Sequence, residues 1–127
     1  MLKYLSYLNL FLGIIFIAIS KSNENYLDLA SIIPSVFFSW ITLFHFIKNN
    51  LKFEKWHLFM GFLGVLLSIM SSFITVQILL QLYSNKAVAF SPEVFLASSK
   101  QIFDLLAISQ FVIAYRANKK MSNLNSK

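Results

Sequence analysis

Residues 56–85 of this chain carry no formal charge, taking His57 as neutral. The run outlasts the ~20 residues with which a helix crosses a bilayer. A helix packed on a soluble core is apolar along one stripe, whereas this one is apolar all round. The whole chain follows suit: 57% of its residues are hydrophobic and 13% charged, against ~45–50% and ~25% in soluble domains. The sequence therefore reads as an all-α polytopic membrane protein. Continuous apolar runs, rather than alternating ones, favour helices over a barrel.

Four spans are predicted in a single domain covering residues 1–127, joined by short loops: about 4–20, 28–47, 57–83 and 93–116. Ser91, Pro92 and Glu93 mark the last start, as N-cap, first helical position and favourable first-turn charge. Residues 117–127, which end in "MSNLNSK", lack apolar periodicity and read as a flexible tail. Charge sets the orientation. Lys3, Lys48, Lys52, Lys55, Arg116, Lys119, Lys120 and Lys127 fall on one side, and only Lys21 and Lys86 on the other. Basic short loops stay inside, so both termini are expected in the cytoplasm of a multi-pass cell-membrane protein. Lys3, the apolar stretch after it and "AIS" at 18–20 also fit a signal peptide. Ser6, Tyr7 and Asn9 make a soft start for one, and a retained first helix is the expectation. Cleavage would leave three spans in the same orientation.

Several chemistries have no footing. Without cysteine there is no disulfide, thiolate nucleophile or cysteine metal site. The net charge of +6 lies in loops and tails beside apolar spans, which topology explains without nucleic acid. Phosphate-loop and hydrolase motifs are lacking. His45 and His57, among lysines and without carboxylates, make a poor metal site. No enzyme activity, metal or cofactor is expected. The basic loop is expected to meet anionic headgroups.

The stretch "ASSKQIFDLL" at 97–106 breaks the pattern by placing Lys100 and Asp104 in the fourth span. Counting from Arg116, Asp104 lies ~18 Å and Lys100 ~24 Å into the membrane. A lysine that close to the outer surface is expected to snorkel, which the short Asp104 cannot do. A charge at a span centre costs ~2.5–3.5 kcal/mol, so Asp104 needs a partner or water. Lys100 and Gln101 share its face, and Gln77 and Gln81 of the third span are predicted to lie nearby in depth. These five residues form a candidate polar cluster. It serves either as helix-joining hydrogen bonds or as an outward-opening vestibule in which Asp104 responds to protons or cations.

Gly61, Gly64, Ser68, Ser72 and Thr75 form a small-residue face on the third span, suited to close helix packing. Gln77 lies almost opposite. The face fits packing within the bundle or against another chain. Pro34 is expected to interrupt and kink the second span. Two functions follow from these features. One is a non-enzymatic accessory protein that binds a membrane-protein partner or a second copy of itself. The other is a small transporter or channel component built on the Asp104 vestibule. The lipid bilayer is a partner in both.

Overall fold

The computed structural model describes residues 1–20, 26–48, 53–84 and 92–124. They form four helices: α1 (Leu2–Ser20), α2 (Tyr26–Ile47), α3 (Lys55–Ser84) and α4 (Pro92–Leu124). Three are long and apolar enough to cross a membrane, through Leu2–Ile19, Leu29–Ile47 and Lys55–Gln81. The predicted fourth span does not meet that measure. Helix α4 carries Lys100, Asp104 and Gln110 within its length and Arg116, Lys119 and Lys120 beyond. Those residues lower its hydropathy.

The helices pack in cyclic order, α1 on α2, α2 on α3, α3 on α4 and α4 on α1. Their directions follow from which residues share a level. Ser71 of α3 meets Lys100 of α4, and Gly61 lies against Phe111, so α3 and α4 run antiparallel. Gly13 of α1 lies by Phe103, and Ser6 by Gln110, so α1 also opposes α4. Ser31 meets Lys100 and Ser39 meets Gln110, which makes α2 parallel to α4. This is an up-down-up-down bundle with short connections.

The distribution of side chains departs from that of a soluble bundle in how many polar groups are buried and how many large apolar ones are exposed. Buried positions include Ser6, Asn9, Ser31, Ser35, Ser39, Thr42, Ser68, Ser71, Thr75, Lys100, Asp104 and Gln110. Exposed ones include Phe11, Ile14, Trp40, Phe62, Leu66, Met70, Phe73, Ile102 and Leu105. Lipid gives no hydrophobic reason for apolar side chains to turn inward, so small and polar groups take the helix interfaces. Ser6, Ser35, Thr42 and Thr75 each donate to the carbonyl four residues earlier in their own helix. That bond satisfies a hydroxyl in a dry interior.

The terminal end of the bundle is closed differently. Leu2, Phe38, Phe53 and Ala114 form an apolar plug there. The Phe53 amide donates to Asn118 Oδ1 at 3.0 Å, tying the segment before α3 to the end of α4. The Glu54 carbonyl accepts from the amides of His57 and Leu58 and so starts α3. Both α1 and α4 have their chain-terminal ends on this side.

Two expectations need adjustment. Helix α4 continues through residues 117–124, which composition assigned to a flexible tail. Ala117, Lys119, Lys120 and Met121 are good helix formers, and helix continuation needs no apolar face. Residues 125–127 lie outside the described residues, as does the Ser91 N-cap. Helix α2 runs through Pro34 as one element, although the ring still removes one ladder donor. Opposite it, Gly64 brings α3 close. A Cβ there would stand 3.2 Å from Ser35 Oγ and 3.6 Å from the Pro34 carbonyl carbon.

Candidate functional site

The polar interior has two layers, both centred on α4 and both spanning the bundle's diagonal. In the first, Lys100 Nζ donates to both carboxylate oxygens of Asp104, at 2.6 and 2.8 Å. It also donates to Ser31 Oγ of α2 at 3.0 Å and Ser71 Oγ of α3 at 3.1 Å. Lys100 is 5% exposed and Asp104 0%. On the remaining side, Phe103 is fully buried, with its ring 5.8 Å from Nζ and 5.6 Å from Phe16 of α1. Gly13 leaves room for this packing, because a Cβ there would collide with Val36 and touch Phe103.

Lys100 therefore does not snorkel. Its ammonium turns one turn deeper, toward Asp104, because a carboxylate and two hydroxyls replace the water it would otherwise seek. An i,i+4 pair with lysine first is the weaker orientation on an exposed helix. Here the two serines complete the ammonium's coordination. The charges cancel, which reduces the penalty that either would meet alone in hydrocarbon.

The second layer lies six residues past Asp104 along α4, ~9 Å away at 1.5 Å per residue. Gln110 Nε2 donates to Ser6 Oγ of α1 at 2.9 Å. Its Oε1 accepts from Ser39 Oγ of α2 at 2.9 Å and, over a short contact, from Asn9 Nδ2 of α1. One amide thus joins three helices.

The five residues of the predicted cluster separate. Lys100 and Asp104 pair as spacing suggested. Gln101 is half-buried, and Gln77 and Gln81 are exposed, so α3 contributes Ser71 rather than its glutamines. The predicted packing face fares better: Gly61, Gly64, Ser68 and Thr75 are buried and Ser72 is half-buried. A Cβ on Gly61 would come within 2.8 Å of both Phe38 of α2 and Phe111 of α4. The face is thus occupied inside the bundle, between α2 and α4. Asn9 Oδ1, Ser68 Oγ, Ser72 Oγ and Gln101 Oε1 are buried without a hydrogen-bond partner among the described residues.

Ser31, Ser71, Ser6, Asn9, Ser39 and Gln110 were missed from sequence. A signal existed for some of them. Ser31, Ser35, Ser39 and Thr42 recur at helical spacing through an apolar span, as do Ser6, Asn9 and Gly13 of α1. In a membrane helix such a stripe marks the inward face.

At the terminal end His45 Nε2 and His57 Nδ1 lie 3.2 Å apart. The Glu54 amide also donates to His57 Nδ1, at 3.3 Å. Among the described residues no three His, Cys, Asp or Glu side chains come together as a metal site. No protein-family model, curated protein or solved structure matches the chain significantly.

Gln110→Ala leaves the Ser6, Ser39 and Asn9 side chains without their shared partner. It is expected to lower unfolding free energy in mild detergent by about 1–3 kcal/mol. Gln77→Ala and Gln81→Ala, on the exposed surface, are expected to stay within about 0.5 kcal/mol of wild type. Denaturation titrations on the three variants measure the contrast.

Proposed function

We propose that the chain is a four-span membrane protein with both termini in the cytoplasm, working as a non-enzymatic accessory or partner-binding subunit. The fourth span is α4, whose Lys100 and Asp104 are turned into the bundle while Phe95, Ile102, Leu105 and Val112 stay exposed. The orientation rests on charge. Exposed Lys3, Lys48, Lys55, Arg116, Lys119 and Lys120 lie toward the terminal end, which the positive-inside rule assigns to the cytoplasm. The native chain has no cysteine, so single cysteines report topology cleanly. Lys21→Cys and Lys86→Cys are expected to react with an impermeant maleimide on intact cells, and Lys3→Cys and Lys120→Cys only after permeabilisation. The reverse pattern would invert the orientation, and labelling at 21 and 120 from opposite sides to 3 and 86 would remove the four-span reading.

One observation carries the functional part. The ionisable pair inside the bundle is closed, with Lys100 engaged by Asp104, Ser31 and Ser71 and 5% exposed. A transport group must exchange partners with water or cargo, and this ammonium has all its hydrogens committed. What the molecule offers outward is its apolar helix surface, including Phe62, Ile69, Phe73 and Val76 of α3. Such a surface meets lipid or the helices of another membrane protein.

A photo-crosslinking residue at Phe73, with one at buried Phe103 as control, tests this in native membranes. A discrete heavier adduct from position 73 alone is the expected result. Monomeric protein with no adduct at either position would argue against a partner. Proton or cation flux through the purified protein in liposomes, lost in Asp104→Asn, would favour the transport reading instead.

A further inference from the structure

Between α2 and α3 at the terminal end lies an open groove of about 690 Å³, within the ~300–1,000 Å³ usual for small-ligand sites. Its chemistry is graded along the bundle axis. Phe37, Trp40 and Phe44 of α2 form an apolar wall, with Trp56 of α3 opposite. Trp40, Phe44 and Trp56 are each about half exposed or more, at 60%, 50% and 49%, so the wall is accessible from outside the bundle. Phe37 and Trp56 face each other across it at 6.5 Å between ring centroids. Nearest the bundle end the lining turns polar, with His45, Lys48, Glu54 and His57. Phe37 and Lys48 are eleven residues apart on α2, ~17 Å along the axis.

The polar end favours an anion. Lys48 Nζ sits 4.4 Å above the Phe44 ring centroid and forms no ion pair among the described residues. Glu54 is the one carboxylate in the lining, and its Oε2 already accepts from Trp56 Nε1 at 2.8 Å. Around it the exposed charges at this end are lysines and an arginine. His57 Nδ1 accepts from the Glu54 amide, which leaves the hydrogen of the neutral ring on Nε2 as a further donor in the lining.

An apolar wall that ends at an ammonium with no ion pair among the described residues matches one kind of molecule. We infer that the groove holds a single anionic phospholipid of the surrounding leaflet, its phosphate at Lys48 and an acyl chain along Phe37, Trp40 and Phe44. Basic sites between membrane helices on the cytoplasmic side are the expected place for acidic headgroups. This goes beyond the accessory role and rests only on the membrane reading within it.

The chain has two tryptophans, Trp40 and Trp56, and both line the groove, so the whole indole emission reports its occupancy. The protein is reconstituted in phosphatidylcholine vesicles containing a small fraction of brominated phosphatidylglycerol or the same fraction of brominated phosphatidylcholine. The brominated phosphatidylglycerol is expected to quench more strongly. Lys48→Gln is expected to lower its relative binding constant about fivefold, the worth of one basic group at an anionic surface. Lys120→Gln removes the same charge outside the groove and is expected to leave the constant unchanged. Equal quenching by both lipids, or equal loss in both variants, would overturn the inference while leaving the membrane reading intact. Competition by inorganic phosphate would overturn it in favour of a free-phosphate site. If neither brominated lipid quenches, the tryptophans do not meet a bilayer, and the membrane reading fails together with the inference.

Discussion

The ammonium of Lys100 organises the upper half of this bundle. It reaches Asp104 on its own helix and Ser31 and Ser71 on two others, so one charge fixes the relative depth of α2, α3 and α4. A hydrocarbon interior makes that constraint strict. Apolar side chains pack about equally well against lipid or against another helix, and so choose no register. A buried charge accepts one register, because every other leaves it without partners. Gln110 does for α1, α2 and α4 what Lys100 does for α2, α3 and α4. Together the two layers hold all four helices.

The same logic accounts for the glycines and serines around these layers. Bringing Ser31 and Ser71 within reach of one nitrogen requires α2 and α3 to approach closely. Gly64 permits this where it faces Pro34 and Ser35. The hydroxyls not recruited by Lys100 or Gln110 mostly return to their own helix backbone. Polar groups thus set the helix positions and small groups allow the distances, while many large apolar side chains, Phe62, Leu66 and Phe73 among them, remain outside.

Much of this architecture was legible in the sequence. The predicted spans 28–47 and 57–83 match Tyr26–Ile47 and Lys55–Ser84 to within two residues at each end, because charged residues bracket the apolar runs. The pairing of Lys100 with Asp104 was legible from i,i+4 spacing. Their serine partners were not, since Ser31 and Ser71 lie 69 and 29 residues from Lys100 and a lone serine in a membrane helix carries little signal. The small-residue face of α3 was placed correctly at Gly61, Gly64 and Ser68, but a drift of one position favoured Ser72 over the buried Ser71. Gln77 and Gln81 were drawn in by depth alone. Their rotation about the helix places them outside.

The central claim is that Lys100 and Asp104 stabilise the fold only as a pair. A double-mutant cycle of Lys100→Met and Asp104→Leu, read as unfolding free energy in mild detergent, tests it directly. Each single substitution strands a buried charge and is expected to cost about 3–5 kcal/mol, whereas the double variant recovers most of the loss. Costs that add to within about 0.5 kcal/mol would mean that the two residues act independently, and the pair would not be the element that sets the register of the bundle.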